Sequence, residues 1–118
     1  MLTDRPARGG TVLTEADLGA RLGERATLVQ FSTVFCAACP ATRRTLAQVA
    51  EMADGVAHVE IDAVARLDLA RRLRIASTPT VLVLGPDGAV VGRAVGQPRK
   101  ADVIAALAAV PRPGPPAG

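Results

Sequence analysis

The sequence has no tryptophan and no tyrosine, and its only aromatic residues are Phe31 and Phe35. A stacking reader of single-stranded nucleic acid needs aromatic platforms, so that class is excluded as a first reading. Lysine is nearly absent as well. The single one is Lys100, and the net charge of +3 rests on arginine. These arginines alternate with Asp and Glu along most of the chain, and the one tight group, Arg71, Arg72 and Arg74, reads as a solvated helix end. No nucleic-acid partner is expected. Long apolar runs are missing too: Val81–Leu84 and Ile104–Val110 fall far below the ~18 residues that span a bilayer, so no membrane partner is expected. The first ten residues are polar with no apolar stretch behind them, which leaves the cytoplasm as the expected compartment.

What is present is an ordinary globular mixture. Of 118 residues, 49% are hydrophobic and 21% charged, too apolar for disorder and enough for one core of Val, Leu, Ile and Ala. The spacing of turn residues and β-branched runs predicts a loose arm over 1–10, one domain over 11–110 and a disordered Pro/Gly tail over 111–118. Within the domain a short strand is expected at Thr11–Leu13. A helix capped by Thr14 with Asp17 then runs to about Leu22. Further strands are expected at Ala26–Ser32, Val56–Asp62, Thr80–Leu84 and Ala89–Val95, the last two joined by a hairpin turn at Pro86-Asp-Gly. Helices are expected over Cys36–Ala53, Ala65–Leu73 and Arg99–Ala109. Alternation followed by a hairpin gives an α/β fold, with a mixed sheet of four to five strands and helices on both faces.

The two cysteines, Cys36 and Cys39, form Cys-Ala-Ala-Cys just past a strand, at the start of the expected helix. A pair at that spacing and place is suited to redox chemistry. The dipole and free N–H groups of a helix end favour an anion, so Cys36 is expected to titrate below an ordinary thiol and to be the attacking thiolate. Cys39, one turn further in, is expected to be more buried and to resolve the mixed disulfide. A structural zinc site needs about four ligands, and one chain offers only these two and a distant His58; two chains sharing a metal remains the alternative. Glu60 and Asp62 share a strand face but do not by spacing form an acid–base pair. Asp62 reads as strand termination, and Arg43 and Arg44 read as a solvated helix face.

From about Thr11 to Val110 the sequence resembles the thioredoxin family. The resemblance is carried by Thr27-Leu-Val-Gln-Phe leading to Cys36-Ala-Ala-Cys39, and by Thr78-Pro79-Thr80 opening an apolar strand, with Pro79 standing 40 positions after Cys39. It implies a thioredoxin-like fold and a thiol–disulfide oxidoreductase, in the reducing direction, with no bound cofactor. It implies a monomer, protein disulfides as substrates, and a reductase or other thiol donor as partner. Pro79 would be cis and face the cysteines, with the Thr78 backbone open to an extended substrate segment and its hydroxyl near the Cys36 sulfur. Phe35, Ala37, Ala38, Thr78 and Gly96 would form an apolar docking surface. The sequence departs from the family at Phe35, where Trp is common, and at Ala37-Ala38, where Gly-Pro is common. It also departs at Gln30, where a buried carboxylate serves the second cysteine, and at His58, where Lys is common. His58 is thus a candidate for the missing proton transfer. A non-catalytic binding module using the same surface is the alternative from a different class.

Overall fold

The computed structural model describes residues 11–111. The arm expected over 1–10, and all of the expected tail beyond Pro111, lie outside the described residues. The elements run α1 (Glu15–Leu18), β1 (Ala26–Ser32), α2 (Cys39–Met52), β2 (Val56–Asp62), α3 (Leu67–Arg72), β3 (Thr80–Leu84), β4 (Val90–Val95) and α4 (Lys100–Ala108). The sheet order is β2-β1-β3-β4. β1 pairs parallel to β2 and antiparallel to β3, and β3 pairs antiparallel to β4. This is the mixed, helix-flanked sheet expected from the sequence, at four strands.

Burial explains the pattern. β1 is buried at all seven positions and β3 at all five, as central strands covered on both faces must be. On one face Val29, Phe31, Ile61, Leu82 and Leu84 pack against Leu18 of α1 and against Leu69, Ala70 and Leu73, on and just after α3. On the other, Leu28, Val81, Val83 and Ala94 pack against Leu46 and Val49 of α2 and Val103 and Leu107 of α4.

Several boundaries differ from the sequence reading, each for a local reason. The segment Thr11–Leu13 makes only one isolated bridge, Val12 to Ala89, and is not a strand. α1 has the expected capping box between Thr14 and Asp17, but it stops at Leu18 because Gly19 turns left-handed at φ 67°. A glycine in that conformation ends a helix at little steric cost. α3 and α4 are each trimmed at both ends, to Leu67–Arg72 and Lys100–Ala108. The hairpin turn after β3 is as expected: Gly88 sits at φ 88°, the Gly85 N–H donates to the Ala89 carbonyl at 2.9 Å, and a Cβ on Gly88 would run into the Leu13 carbonyl oxygen.

The largest difference concerns the cysteines. The helix begins at Cys39, not Cys36. Pro40 occupies the second helical position, where its missing N–H has no intrahelical partner to lose and its fixed φ is already helical. Cys36 therefore lies ahead of the helix, in a turn held by Cys36 N–H to Thr33 O and Cys39 N–H to Cys36 O, each 3.3 Å.

Candidate active site at the end of the central strands

The strand register brings the sequence-predicted residues to one edge of the sheet. Phe31 of β1 lies opposite Thr80 of β3, and Thr80 lies opposite Val95 of β4. The cysteine loop leaves β1 just beyond Phe31, Pro79 immediately precedes Thr80, and Gly96 immediately follows Val95. The Thr78–Pro79 bond is cis, and the Pro79 carbonyl accepts the Gly96 N–H at 2.8 Å. Gly96 is at φ 88°, a conformation that favours glycine.

At this edge Cys36 and Cys39 form a disulfide, with Cα atoms 5.4 Å apart. The two sulfur-bearing residues differ in access: Cys36 is half-buried, and Cys39 is 1% exposed. Around them Phe35 is 94% exposed and Ala37 is open to solvent. Ala38, Thr78 and Gly96 are half-buried, and Pro79 is buried. Two exposed apolar neighbours were not singled out from the sequence, Val34 at 83% and Val95 at 67%. The available signal was their adjacency to Phe35 and Gly96 in the sequence. Asp62 caps the turn after β2, accepting the N–H groups of Val64 and Ala65 at 2.8 and 3.1 Å, as its strand-end position foretells.

Beneath the cysteines, Gln30 of β1 is fully buried. Its Nε2 donates to the Cys39 carbonyl at 3.0 Å, while its Oε1 is buried with no hydrogen-bond partner among the described residues. Gln30 pairs in register with Glu60 of β2, and Leu28 with His58. Glu60 is the centre of a network that spacing alone did not reveal. Arg43, four residues along from Cys39, donates to both its carboxylate oxygens at 2.7 Å, and the Ser32 hydroxyl donates at 2.8 Å. The Arg43 hydrogen bonds, and after them Ser32, hold the Glu60 carboxyl below its ordinary value against the opposing effect of burial. A bidentate guanidinium fork fixes geometry better than it stabilises, since water screens a solvent-facing pair. The network ties the first turns of α2 to β2.

His58 is half-buried, and its Nε2 is buried without a partner among the described residues. Burial pushes the imidazole below its ordinary value; the Glu60 charge opposes this and the Arg43 charge adds to it. The folded state then binds fewer protons than the unfolded one between the lowered value and about pH 6.5, so stability falls as pH drops through that window and is fully present above it. In urea titrations from about pH 6.5 down to 5, His58→Leu is expected to flatten the loss of stability; equal slopes in the two proteins would contradict this.

The bridged Cys-x-x-Cys pair stands at the end of a central strand, beside a cis-proline, in this mixed sheet. In sequence, residues 17–111 match the model of the thioredoxin-like domain. The chain belongs to the thioredoxin-like family. Solved thioredoxins share the architecture. A mutant thioredoxin from Halobacterium salinarum NRC-1 is 21% identical, with a TM-score of 0.69 over 78% of this chain and 80% of that one. Chloroplastic thioredoxin z is 29% identical, with a TM-score of 0.67 over 81% and 85%. Thioredoxin f from spinach chloroplast is 25% identical, with a TM-score of 0.65 over 75% and 78%. No curated protein matches this chain in sequence. Family, fold and Cys-x-x-Cys pair together imply thiol–disulfide oxidoreductase chemistry in general. Among the described residues, no group of three or more His, Cys, Asp or Glu side chains is placed to hold a metal ion, and no helix is long and apolar enough to cross a membrane.

Proposed function

We propose that this thioredoxin-like protein reduces disulfide bonds in protein substrates. The unequal access of the two cysteines carries the reading. In the dithiol form, the Cys36 thiolate attacks one sulfur of a substrate disulfide. A Cys36–substrate mixed disulfide forms, and the other substrate sulfur leaves as a thiolate and takes up a proton. Cys39 then loses its proton and attacks Cys36 Sγ. The intramolecular bridge closes, the second substrate thiolate leaves, and that proton ends on it. The protein is left oxidised by two electrons and the substrate reduced by two. A reductase or other thiol donor returns it to the dithiol.

The remaining site residues take supporting roles in this proposal. The exposed Phe35, with Ala37, Ala38 and Gly96, offers an apolar footing for the client. The Thr78 backbone, ahead of the cis bond, is free to pair with an extended client segment. In the dithiol form the Thr78 hydroxyl donates a hydrogen bond to the Cys36 thiolate and helps to stabilise it. The only two cysteines are both spent on the site. That usage fits a monomer working in the cytoplasm, where thiols are kept reduced and structural bridges are rare.

The test is reduction of insulin by dithiothreitol, followed as precipitation of the freed chain. The native protein is expected to accelerate it catalytically, and protein pre-alkylated with iodoacetamide in the dithiol form is expected not to. No acceleration by native protein would refute the proposal, and zinc in the purified dithiol protein would favour metal binding between subunits.

A further inference from the structure

Gln30 places an unused acceptor beside the buried cysteine. Its side chain is fully buried, and its Nε2 is fixed on the Cys39 carbonyl at 3.0 Å. Oε1 belongs to the same planar amide, so it lies close to the Cys39 backbone. In the bridged state that oxygen meets no donor among the described residues. A buried carbonyl without a donor is costly, and the cost is removed once a donor arrives. The bridged Cys39 sulfur carries no hydrogen. Reduction changes this: two electrons and two protons from a dithiol donor, itself oxidised to a disulfide, leave Cys39 as a buried S–H.

We propose that Gln30 Oε1 accepts a hydrogen bond from the Cys39 thiol of the reduced protein, so that Gln30 favours the dithiol over the disulfide and raises the redox potential of the pair. The bond to the Cys39 carbonyl persists in both states and sets the amide orientation; the bond from the thiol exists in one. The acceptor does not titrate, so its preference for the dithiol holds at every pH at which Cys39 keeps its proton. During resolution this bond must break before Cys39 can attack Cys36. Gln30 thus holds the second sulfur back until a mixed disulfide is within reach.

The proposal rests on the reading of the pair as redox-active, but its tests need no protein client. The first is the equilibrium with reduced and oxidised glutathione. Gln30→Met has similar bulk and no acceptor carbonyl, and is expected to shift the equilibrium toward the disulfide by about tenfold, which is ~30 mV toward a more reducing potential. A shift below about twofold, or in the opposite sense, would overturn the proposal. The second keeps Gln30 in place, so it stands even if Gln30→Met does not fold. In Cys36→Ala protein, Cys39 is the only thiol, and its S–H stretching band is expected at lower frequency than that of a free thiol in an apolar solvent. A band at the free-thiol position would overturn the proposal. Failure of insulin reduction, by contrast, bears on the client reaction and leaves both readouts intact.

Discussion

Cys39→Ser protein is expected to accumulate as a stable covalent adduct with its disulfide substrate, whereas Cys36→Ser protein forms none. Both variants should lose turnover by at least ~100-fold, down to the rate of the reductant alone, because removing either sulfur breaks the covalent sequence. The asymmetry between them carries the information. An attacking sulfur must line up with a bulky substrate disulfide, and only half-buried Cys36 is open to such an approach. Cys39, at 1% exposure in the first turn of α2, can reach only a sulfur already delivered to Cys36. With insulin as substrate, non-reducing electrophoresis and intact mass report the adduct. An adduct in Cys36→Ser but not in Cys39→Ser would reverse the assignment.

The two phenylalanines should give opposite results. Phe31 is fully buried near the C-terminal end of β1, in the cluster that joins the sheet to α1 and α3. Phe31→Ala removes a ring from a close-packed site, and such changes cost ~3–5 kcal/mol. Against a typical domain stability of about 5–15 kcal/mol, this takes much of the fold's margin. It should appear as a large drop in the urea midpoint with little change in slope. Phe35 is 94% exposed. Phe35→Ala should change stability by less than ~0.5 kcal/mol, and it should raise KM for insulin while leaving the glutathione equilibrium nearly unchanged. A stability loss at Phe35 equal to that at Phe31 would mean that the exposed ring packs on the domain and does not serve clients.

Much of this was legible in the residues. β1, β2 and β3 were found at their observed bounds, because runs such as ATLVQFS and TVLVL leave few other structures open to them. The cysteine pair was legible as a local chemical signal, and the Thr78-Pro79 step and Gly96 through the family resemblance. The helix starts and stops were less so. The cap at Thr14 and Asp17 marked the start of α1, but its end was carried past Gly19 to Leu22, although only glycine takes that left-handed φ cheaply; a periodicity argument carried α2 back to Cys36. The decisive sign was Pro40, whose preference for the first turn places the start at Cys39. The Glu60–Arg43–Ser32 network was not legible. Its members come from three elements, and no spacing rule joins residues that only the parallel register of β1 and β2 brings together. Gln30 was seen to lack a titrating group; that its amide nitrogen is spent on the Cys39 carbonyl, leaving the oxygen idle, required the packed structure.

The bridge links positions only three apart. In the chain-entropy picture, a loop of about four residues restrains the unfolded polypeptide by only about 2 kcal/mol, less than half of what a cross-link over a hundred residues supplies. Opening it therefore subtracts little from a fold whose cohesion lies in its two apolar layers. The molecule can be charged with electrons and discharged again, cycle after cycle, while its architecture stays assembled.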